Sequence, residues 1–353
     1  MEPTLHQERQ TPLLVSLAAL VIVIAGLKVA APMIAQFLMA LFIAVVSTPS
    51  IRWLTAKRVP QGLAIVAVLF AILLFVSLVV YLVGDSVQSF STNKHVYATK
   101  LQGQLHAATQ WLVSIGVPAQ GMDLQTIVAK ADVMSLVTRV IGGLGVIFSD
   151  FFVIFLSVIF ILSEITSFPA KFAKAFADSQ DKMVYVNQVL GKIRHYLAIK
   201  TAASLATGAL VSLLLVIIGV DYPFLWGMLT FLLNYIPNIG SIIAAIPALI
   251  LALVQLGPMA ALWTAISFFA ANNLIGNYLE PKFMGKMLGL STFVVFISLI
   301  FWGWIFGSVG MFLSVPLTMT IKIALETNDK TRWLAIMLGP AETQEVAAEP
   351  ESA

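Results

Sequence analysis

The chain has no cysteine, which excludes disulfides, thiolate metal sites and thiol catalysis. It is also short of charge. Asp, Glu, Lys and Arg make up only 10% of the 353 residues, against about 25% in an average soluble domain. From Thr201 to Leu279 a single formally charged residue, Asp221, stands in 79 positions. No G-x-x-x-x-G-K-[ST] loop exists, so the chain carries no P-loop for ATP hydrolysis. H-E-x-x-H is missing too, and His6, His95, His106 and His195 are scattered outside the hydrophobic runs. No metal set and no cofactor are implied. A serine nucleophile at membrane depth would need a partnered base, and none is visible. The chain does not read as an enzyme.

What is present is apolar surface. Hydrophobic residues reach 59% and mean hydropathy is +0.96, the composition of an all-α, polytopic integral membrane protein. The net charge is only +3 although the pI is near 9.0. That balance fits Lys and Arg at membrane edges rather than a nucleic-acid surface. Two apolar stretches, Leu13 to Leu27 and Val29 to Val46, follow each other with no clear cleavage site. They read as a first membrane hairpin rather than a signal peptide.

Charge-free intervals mark the spans: 10–27, 29–51, 59–84, about 140–163, 201–220, 222–279 and 287–321. The two longest exceed one crossing. Pro237, with Asn238 and Gly240, divides the first, and Gly257-Pro258 ends its second arm. Gly303, Gly307 and Gly310 divide the other, upstream of Pro316. Backbone freed from a helix at membrane depth survives only where protein or water satisfies it. Paired interruptions of this kind point to a transporter's solute path.

Lysine and arginine set the expected orientation. Arg52, Lys57 and Arg58, the basic segment 164–200, Lys282 and Lys286, and Lys322, Lys330 and Arg332 all fall inside if both termini are cytoplasmic. Then 223–256 and 292–321 enter as re-entrant or broken hairpins from opposite faces. About eight membrane segments result, with 201–256 and 259–321 as halves of an inverted repeat. Eight full crossings would leave the C-terminus on the same side. The expected organisation is N-terminal membrane helices over 1–84, an external helical segment over 85–139, and a membrane helix plus basic amphipathic segment over 140–200. A transport core over 201–325 and a cytoplasmic tail, expected to be disordered, over 326–353 complete it. Leu101, Leu105, Ala108, Leu112 and Ile115 form one helical stripe, with Asp123 and Asp132 as N-caps. Val186, Val189, Leu190, Ile193 and Leu197 form a basic-backed second stripe, suited to the membrane surface or to packing on the spans.

The candidate solute-path residues lie at the breaks. Asn234 and Asn238 flank Pro237, and their amides either bind solute or cap the broken helix. Asn273 and Asn277, four residues apart beside Asn272, either line a path or bond between helices. Glu280 either is a proton or cation site or pairs with Lys282 or Lys286 at the interface. Asp221 and Asp150 are expected at interfaces. Gly303, Gly307 and Gly310 fit close helix approach or a broken hairpin, with Trp302 and Trp304 as belt anchors. The candidate set is therefore Asn234, Pro237, Asn238, Gly240, Asn273, Asn277, Glu280, Gly303, Gly307, Gly310 and Pro316.

Three stretches carry a resemblance: Asn234-Tyr-Ile-Pro-Asn-Ile-Gly-Ser241, Leu279-Glu-Pro-Lys-Phe-Met-Gly-Lys286 with Leu288-Gly-Leu-Ser-Thr292, and Ser298-Leu-Ile-Phe-Trp-Gly-Trp304 through Gly307 to Val315-Pro-Leu317. With Ala40-Leu-Phe-Ile-Ala44 and Arg58-Val-Pro60, they resemble the autoinducer-2 exporter family of bacterial permeases over nearly the whole chain. The resemblance implies an inner-membrane permease of about eight segments, embedded in lipid, that exports autoinducer-2, a small polar quorum-sensing signal. It also implies a homo-oligomer. Some relatives are described as sodium/proton antiporters, so a monovalent cation/proton antiporter is the alternative function. No binding-residue set comes with the resemblance.

Overall fold

The computed structural model describes residues 7–115, 151–164, 180–237, 239–284, 289–327 and 329–340, and all regular structure among them is helical. Helices α1 (Gln7–Val29) and α2 (Ala31–Ala56) meet at Ala30, and Pro32 opens α2 where its missing N–H costs nothing. Arg58 takes a positive φ of 66° in the turn that leads to α3. Helix α3 (Gln61–Ser114) is continuous over 54 residues. At 1.5 Å per residue that is about 81 Å, far more than a bilayer core of about 30 Å. Residue 84 thus lies within one unbroken helix. Asp123, Asp132 and Asp150 lie outside the described residues.

Helix α4 (Phe151–Glu164) packs on α2. Helix α5 (Gln180–Ile218) then joins the basic stretch and the following span into one 39-residue rod. The two shorter helices α6 (Pro223–Leu233) and α7 (Gly240–Leu256) fold back on each other, and α8 (Pro258–Ala271) follows at once. A π-helical segment, Asn272–Leu279, leads into α9 (Glu280–Met284). Helix α10 (Thr292–Glu326) and short α11 (Arg332–Met337) end the described chain. The stretch expected to be a disordered tail therefore begins with a folded element. Ser291 N–H donates to the Leu338 carbonyl at 3.1 Å, tying the end of α11 to the start of α10. Residues 341–353 lie outside the described residues.

Among the described residues, five stretches are long and apolar enough to cross a membrane: Ala31–Ala56, Gln61–Phe90, Gly191–Ile218, Pro258–Met284 and Thr292–Glu326. The last is not straight. At Gly307 the backbone takes φ 64° and ψ −141°, outside any helix. The Trp302 indole N–H then donates to Thr318 Oγ1 at 2.9 Å. In a straight helix those residues would be about 24 Å apart. The two arms of α10 therefore lie side by side.

The largest apolar core joins α3, α5, α6, α7 and α8 around the fully buried Trp226 and Leu215. A second core joins α2, α3 and α4 through Ala40, Ala44, Val68 and Leu162. Small residues set the closest approach. A Cβ on Gly208 of α5 or Gly227 of α6 would meet the other glycine's carbonyl oxygen at 2.5 or 2.6 Å, so the backbones touch.

Candidate functional site

Two hairpins organise the site. The first, α6 and α7, reverses over 234–239, where Ile236 N–H donates to the Leu233 carbonyl at 2.8 Å and Gly240 N–H to the Ile236 carbonyl at 3.2 Å. The second is α10, reversing at Gly307. Their necks use glycine in the same way. A Cβ on Gly240 would collide with the Leu233 carbonyl, and one on Gly310 with the Trp302 carbonyl. A Cβ on Gly303 would meet Met311 Cγ at 2.6 Å. Pro247 and the buried Pro316 sit inside the returning arms.

The hairpins meet side on. Tyr235, at the first reversal, stacks on Phe312 of the returning arm of α10, ring centroids 4.5 Å apart and planes at 25°. Phe42 of α2 packs edge-on against both, at 5.5 Å from Tyr235 and 4.9 Å from Phe312. The Gly307 end packs toward Ala31 and Ala35 of α2 through Trp302, Ile305 and Phe306.

Beneath the aromatic cluster lies a polar shelf on α5. Tyr235 Oη donates to Thr201 Oγ1 at 2.8 Å, and Asn234 Nδ2 donates to Ser204 Oγ at 3.1 Å. One residue before Thr201, Lys200 Nζ donates to Glu280 Oε1 at 2.8 Å. The two side chains are 8% and 12% exposed, so this is a buried ion pair. Among the described residues Glu280 thus pairs with Lys200 rather than with Lys282, because α5 crosses beside α9 whereas Lys282 is exposed; Lys286 lies outside the described residues.

The remaining predicted residues divide. Asn273 Nδ2 donates to the Phe269 carbonyl and Asn277 Nδ2 to Asn273 Oδ1, each at 2.9 Å. Their bonds stay within their own helix rather than crossing to a neighbour. The π-helical widening there frees carbonyls that such amides can serve. Pro237 is half-buried at the first reversal; Asn238 lies outside the described residues. Of the candidates, Asn234 and Glu280 bond to α5, Pro237 and Gly240 lie at the first reversal, and Gly303, Gly307, Gly310 and Pro316 shape the second hairpin. Lys200, Thr201, Ser204, Tyr235, Phe42 and Phe312 were not singled out. Lys200 had a signal, since it directly precedes the 79-position charge-poor run. Phe42 and Phe312 had none.

At the other end of the first hairpin, Asp221 and Tyr222 form its entrance. Tyr97 Oη of α3 donates to Asp221 Oδ2 at 2.7 Å and lies 3.4 Å from Tyr222 Oη. Gln255 Oε1 accepts from Asp221 N–H, and Trp226 Nε1 donates to the Asp221 carbonyl. These contacts hold Tyr222 at φ 59°, a strained value for a side chain of its size. Burial first, then the bonds to Tyr222 and Asp221, push the Tyr97 phenol above its ordinary pKa.

A bundle of long apolar helices with two folded-back hairpins over a buried polar shelf defines a multi-pass membrane protein of the transporter class. Residues 17–329 match the family described as AI-2E family transporter. The chain belongs to that family. A Haemophilus influenzae protein with a provisional transport-protein name is 41% identical over 336 residues, covering 93% of this chain and 96% of its own. The AI-2 transport protein TqsA of Escherichia coli is 37% identical over 326 residues, covering 92% and 95%. YhhT of Escherichia coli, also provisionally named for transport, is 35% identical over 328 residues, covering 93% and 94%. Family and apolar helices together make this a multi-pass protein of the bacterial inner membrane.

Proposed function

We propose that the protein exports a small polar signal molecule, with autoinducer-2 as the solute, by alternate opening of its two hairpins. The observation that carries this reading is the meeting of both hairpins at Tyr235 and Phe312, directly over the hydroxyls and amide of Thr201, Ser204 and Asn234. Aromatic rings above hydroxyl and amide groups suit a neutral, hydroxyl-rich solute, and opening either hairpin would uncover that shelf from one side. The AI-2 transport name of the TqsA relative supports the solute. The cation/proton alternative gains no support from Glu280, whose carboxylate is committed to Lys200.

The topology belongs to the same proposal. Helix α6 has 11 residues and the first arm of α10, Thr292–Phe306, has 15. These reach about 17 and 22 Å, short of a core of about 30 Å, so both hairpins are re-entrant. Both termini are cytoplasmic, and the hairpins enter from opposite faces. The working form is a homo-oligomer surrounded by lipid, in keeping with the family resemblance. Purified protein in liposomes tests the function. Saturable movement of labelled autoinducer-2, lost when Tyr235 and Asn234 are both replaced by alanine, is the expected result. Absence of saturable movement under every proton or sodium gradient would overturn it.

A further inference from the structure

Lys28 closes helix α1, at the end of an apolar run where a lysine ordinarily stretches toward lipid headgroups. Here it turns onto the second hairpin. Its ammonium donates to the Trp304 carbonyl and lies over the Trp304 ring, 5.1 Å from the centroid. Trp304 is three residues before Gly307, in the last turn of the first arm. Carbonyls in that turn lack donors further along the axis, because the chain turns back at Gly307. A cation is the favoured partner for such a helix end. The ring face adds a second attraction for the same charge.

The neighbourhood fixes the geometry. Leu27 of α1 and Ala31 and Ala35 of α2 pack against Trp302, Ile305 and Phe306, so the α1–α2 corner is the wall on which the hairpin end rests. Gly307 itself has no heavy atom within 4 Å of where a Cβ would stand, and Ser308 is exposed. Gly307 and Ser308 themselves are thus uncovered, and the tip is held through the Trp302, Ile305 and Phe306 wall together with the Lys28 contacts. Lys28 supplies its part of that attachment from a different helix.

We propose that Lys28 is a positioning residue for transport: from the end of α1 it clasps the tip of the second hairpin and holds it shut. This rests on the hairpin-gate reading above. Replacing the ammonium by an apolar group of similar length, Lys28→Met, keeps the stem and removes both contacts to Trp304. Loss of one charge-assisted bond is worth about a tenfold change in the open-to-shut ratio. Lys28→Arg retains a cation, donors and the affinity for a tryptophan face.

The test uses the full chain in liposomes with a single cysteine at Ser308→Cys, which has no background thiol to compete. A membrane-impermeant maleimide reads exposure of the tip, and solute flux is followed in the same preparation. In Lys28→Met the labelling rate should rise about tenfold, with Lys28→Arg close to the parent. The parent labelling rate should also change when saturating solute is added, since the gate cycles. Equal labelling in the parent and Lys28→Met, with solute still changing the rate, overturns the role of Lys28 alone. A tip that never labels in either background while flux continues overturns the gate reading and this inference with it. Monodisperse elution of Lys28→Met separates a released clasp from a misfolded chain; if Lys28→Met does not elute so, the parent against Lys28→Arg and Lys28→Gln gives the same comparison.

Discussion

Lys200 and Glu280 are held 2.8 Å apart in a setting that exposes little of either side chain. Removing one partner of a buried pair leaves an uncompensated charge and costs about 3–5 kcal/mol, whereas replacing both by apolar groups costs far less. Glu280→Gln and Lys200→Met should therefore each lower thermal stability sharply, and the double Lys200→Met/Glu280→Leu should recover most of it. Additive losses in that cycle would show that the two do not act as a pair. Tyr235 separates two contributions in the same way. Tyr235→Phe loses the bond to Thr201, worth about 1 kcal/mol, and keeps the stack on Phe312. Tyr235→Ala also loses the ring, about 3–5 kcal/mol for a core aromatic, and should abolish flux as well as lower the unfolding temperature. At this scale the sequence was only half legible. Asn234 and Glu280 stand out because an amide and a carboxylate are conspicuous in an apolar run. Their partners Ser204 and Lys200 lie 30 and 80 residues away, and only folding brings them together.

Glycine placement makes the hairpins possible, and two kinds of substitution should behave differently. At Gly240 and Gly310 an added methyl meets backbone carbonyl, which cannot swing aside as a side chain end can. Gly240→Ala and Gly310→Ala should pry the arms apart, reducing the folded yield from membranes. Gly307→Ala meets no neighbour, and its penalty is the strain of φ 64° and ψ −141°, about 1–3 kcal/mol. It should fold, with a lowered unfolding temperature. A ranking with Gly307→Ala worst would contradict the close-approach account. The breaks themselves were legible, because Pro237 and the spaced glycines punctuate an otherwise uniform run. The continuity of α3 and α5 was not, since charged and polar residues such as Asp85 and Lys192 resemble span boundaries while remaining good helix surface once the rod leaves the bilayer. The Tyr97 clamp ties the α3 rod to the first hairpin. Its phenol is neutral in the fold with a raised pKa, so its contribution is complete below about pH 10 and is lost as pH rises further. The parent should thus lose stability between pH 10 and 11 more steeply than Tyr97→Phe, in thermal scans across that range.

For the whole molecule, charge and helix length answer different questions. Basic residues set the side each loop is expected to face, and the hairpin reading and eight full crossings place those loops identically. Labelling the loops therefore tests orientation alone. Single cysteines at Arg58 and Lys330 should react only with reagent on the cytoplasmic side, and one at Ser114 only from outside. A cysteine at Ser114 reacting with Arg58 from the same face would overturn the orientation, because α3 joins those regions across the membrane. The reversal points decide between the two topologies. Were α6 and the first arm of α10 complete crossings, Ile239 and Ser308 would sit in open water and label as fast as Arg58 and Ser114. Arms of about 17 and 22 Å are shorter than the core, and the Gly307 end rests shut on the α1–α2 corner, so both positions should label much more slowly than those loops. Their rates should also move in opposite directions when solute is added from one side, because in the alternating-gate proposal one hairpin opens, parting the Tyr235–Phe312 stack, while the other stays shut. Two tips that label like ordinary loops, unaffected by solute, would make both hairpins pairs of full crossings and remove the gates on which the transport proposal depends.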